Sequence, residues 1–171
     1  MSFLEKLNFI REEIQRDESL ADVVELTEVG ASEEFIESLK GLYAFIPESY
    51  LQFLRLTDGI DIFGITFCGS GKNRFVELSW LKELASSFLD VRDNFPFAKD
   101  SDGSILWINS NGGVFWDSEP ETGEQLFLES SFEKFMNEVL FGSQYFTKLN
   151  PGGIDEGEEE WGPFLKKYGW A

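Results

Sequence analysis

Three groupings in this chain carry residue types that do chemistry, and each departs from the spacing its chemistry needs. Gly69-Ser70-Gly71-Lys72 has the glycines and lysine of a phosphate-binding loop. Such a loop needs a glycine, four residues, then Gly-Lys-Ser/Thr, so that backbone N–H groups cradle the phosphates and a hydroxyl meets the metal ion. Thr66 stands where the first glycine belongs and Asn73 where the hydroxyl belongs, so the segment reads as a surface loop. Asp100, Asp102 and Ser104 alternate like the opening of a calcium loop, but Gly103 arrives too early and Asn111 occupies the twelfth position in place of Glu. Turn chemistry accounts for them better. Two carboxylates at a set separation suffice for glycoside hydrolysis. With 32 Asp+Glu, however, some pair is always close, and the abundance points to a solvated acidic surface.

The missing residue types exclude more. There are 0 histidines, which removes the Ser-His-Asp and Cys-His triads, histidine-ligated zinc and the usual general base. The single cysteine, Cys68, rules out an internal disulfide and a thiolate metal cage. The chain is expected to bind no cofactor, metal or nucleotide, and to be no enzyme.

At 171 residues the chain suits one domain, and 42% hydrophobic with 27% charged residues is globular composition. Against the acids stand 14 Lys+Arg, a formal net charge of -18. That surface repels phosphate backbones, so the expected partner is a basic protein, with no direct nucleic-acid and no membrane binding. The opening Met1-Ser2-Phe3-Leu4-Glu5-Lys6 lacks a basic signal region, and no stretch approaches the ~18 apolar residues of a membrane span. With one free cysteine, the expected location is cytoplasmic.

The elements that must position these residues follow from periodicity. Phe3, Leu4, Leu7, Ile10 and Ile14 make an amphipathic helix, and a second short helix is predicted from Leu20 to Leu26. Ser32 is placed to cap a helix burying Phe35, Ile36 and Leu39, with Gly41 as its stop, and Pro47 opens a helix carrying Tyr50, Leu51, Phe53 and Leu54 inward. Strands are predicted at 60–63, 65–67 and 74–78, then a helix from Ser79 through Asp93 with Leu81, Leu84, Phe88 and Val91 as its apolar side. Phe95 to Leu128 reads as an antiparallel meander whose hairpin signal is Asn109-Ser110-Asn111-Gly112-Gly113. Ser130 and Glu133 make a capping box for a last core helix. The acidic run Asp155–Glu160 and a short docked helix after Trp161 end the chain. The expected fold class is α+β, a curved, antiparallel-rich sheet packed against N-terminal and C-terminal helices.

Several of these residues carry a family resemblance. Gly30-Ala31-Ser32-Glu33-Glu34-Phe35-Ile36, then Ile46-Pro47-Glu48-Ser49-Tyr50-Leu51-Gln52-Phe53-Leu54 and Thr57-Asp58-Gly59, resemble the opening of the SUKH superfamily. So do Phe95-Pro96-Phe97-Ala98, Trp107-Ile108-Asn109, Val114-Phe115-Trp116-Asp117 and the Ser130-to-Phe135 helix. The likeness covers residues 29–140 and implies a SUKH-like domain over 1–141; outside it lies an acidic C-terminal extension over 142–171 with a short docked helix. Ile60 departs from the second glycine that often follows the family's turn. The superfamily includes fungal cell-wall-assembly regulators and bacterial toxin-immunity proteins. The resemblance therefore implies a non-catalytic protein-binding domain: an immunity protein that neutralises a cognate toxin, often a nuclease, or a regulatory interaction module. A small carboxylate-dependent hydrolase is the weakest reading. A run of carboxylates can mimic nucleic-acid phosphate in a basic cleft, and aromatics beside carboxylates supply binding hot spots. The partner-binding candidates are Asp58, Asp61, Glu77, Trp107, Trp116, Asp117 and Glu119.

Overall fold

Ser2 begins the fold with a reciprocal cap: its hydroxyl accepts from the Glu5 N–H, and the Glu5 carboxylate accepts from the Ser2 N–H at 2.6 Å. From it runs α1 (Phe3–Ile14), which buries Phe3, Leu7 and Ile10 as its spacing predicts. The computed structural model describes residues 1–72, 75, 77–119, 124–149 and 161–171, with backbone alone at 118 and 119. Asp17 caps α2 (Glu18–Val23), which passes directly into β1 (Val24–Leu26). The predicted helix to Leu26 is thus half strand. Val24–Leu26 instead pair with Ile60–Ile62, which satisfies the backbone in a ladder and buries Val24.

Ser32 caps α3 (Glu33–Leu42), which runs through the expected stop at Gly41; a single exposed glycine costs a helix only about 1 kcal/mol. α4 (Glu48–Leu56) follows Pro47 and buries Tyr50, Leu51, Phe53 and Leu54. α5 (Leu78–Ala85) begins before Ser79, with Glu77 in the cap position, and stops well short of Asp93. Of the strand expected over 74–78, Leu78 belongs to α5 and Glu77 makes one isolated bridge to Gly69, while residues 73, 74 and 76 lie outside the described ones.

The remaining strands are β2 (Ile60–Ile62), β3 (Ile65–Phe67), β4 (Asn94–Lys99), β5 (Ile105–Asn109), β6 (Val114–Glu119) and β7 (Glu124–Glu129). Together with β1 they form one seven-stranded sheet in chain order, antiparallel at every step and not closed. The α+β class holds, and the sheet reaches from Val24 to Glu129.

Ser131, rather than Ser130, caps α6 (Phe132–Lys134), which continues as a π-wound turn over Phe135–Leu140. Phe132 is the hub of the core, with ring centroids 5.1 Å from Tyr50, 5.5 Å from Phe97 and 6.0 Å from both Phe3 and Phe53. Where the π turn ends, its carbonyls need donors from elsewhere. The Lys6 ammonium donates to the Phe141 carbonyl at 2.6 Å, and the Trp161 indole N–H donates to that of Leu140 at 3.0 Å.

α7 (Tyr145–Lys148) and α8 (Trp161–Lys167) complete the described chain. The extension expected over 142–171 is, in its described part, joined to the core. Trp161 and Leu165 are fully buried in the same cluster as Phe3, Tyr50 and Phe132, and the Tyr168 hydroxyl donates to Glu13 on α1 at 2.6 Å. The acidic run Asp155–Glu160 lies outside the described residues. Among the described residues no helix is long and apolar enough to cross a membrane.

Candidate partner-binding face

An antiparallel meander sends alternate turns to opposite ends of its sheet. The β2–β3, β4–β5 and β6–β7 connections share one end, along with the end of α2, while the β5–β6 hairpin and the chain entering β2 and β4 lie at the other. The shared end collects Asp22, Asp61, Asp100, Asp102, Asp117, Glu119 and Glu124. On these described turns and strand ends Lys99 is the sole cation.

The β2–β3 turn is Phe63-Gly64, with φ of 49° and 78°. Two-residue turns of this hand favour Asn-Gly, and a phenylalanine in the left-handed region is strained. Asp61 holds the turn, its carboxylate accepting from the Gly64 N–H at 3.1 Å and from the Thr66 hydroxyl at 2.5 Å. The Phe63 N–H donates to the Val23 carbonyl at 2.7 Å, and the ring remains 37% exposed. It lines a shallow pocket of about 350 Å³ with Asp22, Val23, Asp61 and Gly64. A Cβ on Gly64 would lie 3.5 Å from that of Ser101, so the β2–β3 and β4–β5 turns abut.

On the β4–β5 turn, one Asp100 oxygen accepts from the Asp102 and Ser104 N–H groups at 3.0 and 2.9 Å. The calcium-like spacing is therefore turn chemistry. The other oxygen accepts from the Trp116 indole N–H at 3.1 Å, tying β6 to this turn and leaving Trp116 half-buried. Beside it Asp117 is 5% exposed, and among the described residues its carboxylate has no hydrogen bond or ion pair. Burial holds both carboxyls above their ordinary range, and the Asp100 charge raises Asp117 further.

The sign of that shift is testable. A carboxyl whose value is raised on folding contributes its stability below the ordinary carboxylate range and loses it as pH rises through the raised value. Asp117→Asn keeps the shape and removes the charge, so its Tm lies above the wild-type Tm at about pH 7. The gap closes as pH falls below the ordinary carboxylate range, where the wild-type carboxyl is protonated whether the chain is folded or not. Thermal melts from neutral pH through that range check this, and an unchanged or lower Tm at neutral pH would contradict it.

Of the sequence-predicted residues, Asp61, Trp116 and Asp117 come together at this end. Glu119 joins them by its backbone, set opposite Glu124 in the register, its side chain being outside the described part. Trp107 does not join them: it is 2% exposed and stacks on Phe115 at 5.8 Å, in a strand whose residues 105–108 are buried on both faces of the sheet. Asp58 sits at the opposite end, 3% exposed, where its carboxylate accepts from the Ser70 N–H at 2.7 Å and from the Ser70 hydroxyl. There it pins the loop after β3. Glu77 is exposed at that opposite end too.

The model of the SMI1 / KNR4 family (SUKH-1) matches residues 30–138. The chain belongs to this family. Its members are generally non-catalytic immunity or regulatory proteins. No curated protein matches the chain. The SUKH-1 match begins with α3 and ends within the π turn, so it contains every acidic residue of the shared end except Asp22. It leaves α1, β1 and α8 outside.

Sequence reasoning missed Phe63, Asp22, Asp100 and Glu124 as members of this SUKH-1 face. The available signal was topological: once a meander is predicted, alternate turns share an end. It also placed part of the buried face of α5 wrongly: Leu81 is buried as expected, but Leu84 and Phe88 are 41% and 47% exposed, and Ala85 and Leu89, one position further round, are buried in their place. Among the described residues no group of three His, Cys, Asp or Glu side chains is disposed to hold a metal ion.

Proposed function

We propose that this SUKH-1 chain is a non-catalytic domain that binds a basic protein through the acidic turn end of its sheet. The partner is a toxin domain, often a nuclease, that the chain neutralises in the cytoplasm. One observation carries the reading: six described carboxylate residues, from Asp22 to Glu124, share one end of the sheet, which also carries the exposed ring of Phe63. A nuclease cleft built for phosphate is cationic, and a face of this sign occupies it while repelling nucleic acid itself.

The division of labour follows from magnitudes. Net charge speeds encounter, an effect that fades as salt shortens the Debye length to about 8 Å at physiological strength. Lifetime depends on desolvated anchors, and aromatic side chains dominate such hot spots. Phe63 and the half-buried Trp116 are the aromatics at this end. The carboxylate of Asp117, buried without a counter-charge, gains one when a lysine or arginine arrives.

Expression of the open reading frames flanking the chain's gene tests the reading. The expected result is a basic product that arrests growth alone and is harmless when co-expressed with this chain. If no flanking product is toxic, or if toxicity persists on co-expression, the immunity reading fails.

A further inference from the structure

We propose that the basic partner is held by strand addition: an extended segment of alternating apolar and Lys/Arg residues pairs with the free edge of β7 and continues the sheet. This rests on the acidic-face reading and specifies how the partner is gripped. β7 is last in the strand order and pairs with β6 alone. Among the described residues nothing hydrogen-bonds to the outer edge of Glu124–Phe127. Edge strands are ordinarily protected by charged side chains, above all lysine, by proline, by bulges or by extreme shortness. Here the β6–β7 pair carries bulges near both ends, and β7 has charge only at Glu124 and Glu129. β7 reads Glu-Gln-Leu-Phe-Leu-Glu over six residues and carries neither lysine nor proline. The opposite edge, β1, is only three residues long.

The open stretch has defined limits. At its far end Leu128 is buried, and its carbonyl accepts from the Lys148 ammonium, which also pairs with Glu129 at 3.3 Å. That leaves Glu124–Phe127 exposed, roughly 13 Å of strand at ~3.4 Å per residue. Leu126 and Phe127 are 37% and 52% exposed. As neighbours in a strand they face opposite sides of the sheet, so an added strand finds an apolar contact on each. Phe127 also continues the aromatic row of the core, 5.4 Å from Phe115.

Charge selects the occupant. Asp117, Glu119 and Glu124 stand at the entry end of the open stretch. A second copy of this chain would bring another highly negative surface against it, whereas a segment bearing Lys or Arg is attracted by the acidic end beside the open stretch. Main-chain hydrogen bonds then give affinity, and alternate side chains give selectivity.

Three short synthetic peptides and the full chain test this: one alternating Lys and Val, its twin N-methylated at every second backbone nitrogen, and one alternating Glu and Val. Affinity is measured at low salt, with amide hydrogen exchange followed along β7. The Lys–Val peptide is expected to bind and to slow exchange of the outward amides within 124–127. The methylated twin keeps the charge but lacks one row of donors, and binds about tenfold more weakly or worse, without that protection. Equal binding of the two basic peptides, with β7 amides unaffected, overturns strand addition while leaving the acidic face intact. If neither basic peptide binds better than the Glu–Val peptide, the acidic-face reading falls as well.

Discussion

Trp161→Ala lowers the free energy of unfolding by about 3–5 kcal/mol. The residue lies outside the segment that matches SUKH-1, in a stretch whose sequence reads as an acidic extension, yet it is fully buried. Its indole stacks on Phe164 with centroids 5.1 Å apart and meets Phe141 edge-on at 5.6 Å. Truncation opens a cavity there and also removes the donor to the Leu140 carbonyl. A buried carbonyl left without a partner adds about 1–3 kcal/mol in its own right, though the two losses are not additive. Urea unfolding followed by far-ultraviolet dichroism measures the change. One cooperative transition at a lower midpoint is expected; a loss under about 1 kcal/mol, or a separate early transition, would show that the C-terminal helix is an appendage.

Simultaneous Asp22→Lys, Asp102→Lys and Glu124→Lys slows association with the basic partner by about 10- to 1,000-fold at low salt. These three side chains are exposed and make no hydrogen bond or ion pair among the described residues, so their reversal changes the field without touching the fold. Asp61 and Asp117 are poorer choices for this purpose. The first holds the Phe63-Gly64 turn and the second is buried, so reversal at either perturbs folding and binding together. The loss should shrink steadily as ionic strength rises, since exposed charges beyond a Debye length are screened. Stopped-flow association rates over a salt series give both quantities.

What the sequence reveals and what it hides divides along the range of the interactions. Helix α1, the Ser32 cap and the buried stripe of α4 depend on neighbours three and four residues away, and periodicity finds them. β1 depends on Ile60–Ile62, more than thirty positions along, and its three residues fit helical spacing equally well until that pairing is known. The misplacing of Leu84 and Phe88 on α5 has the same origin. Leu81, Leu84 and Phe88 make a good apolar stripe in isolation, but which face is buried depends on how the helix seats against β4.

The acidic end of the sheet divides likewise. Composition supplies its sign and chain order supplies the meander. The grouping of Asp22, Asp61 and Asp100 follows only when both are combined with the register. Trp107 and Trp116 are indistinguishable by type. The first lies in a strand covered on both faces, and a hydrogen bond to Asp100 holds the second at the rim. The depth to which Trp161 and Leu165 enter the core is hidden because the neighbouring acidic run dominates the local composition, although Trp161, Phe164 and Leu165 are spaced as a single helical turn and read as a docked helix.

A matched pair of charge variants tests the location of the binding face most directly. One reverses Asp22, Asp102 and Glu124; the other reverses Glu77, Asp93 and Glu133, exposed acids away from the acidic end, and produces the same net charge. Association rates of both with the basic partner are measured at low salt beside the wild type. The acidic-end variant is expected to slow by at least about tenfold more than its counterpart, because local potential rather than total charge guides the final approach. Equal slowing of the two, or a greater loss in the second, would place the partner on another surface.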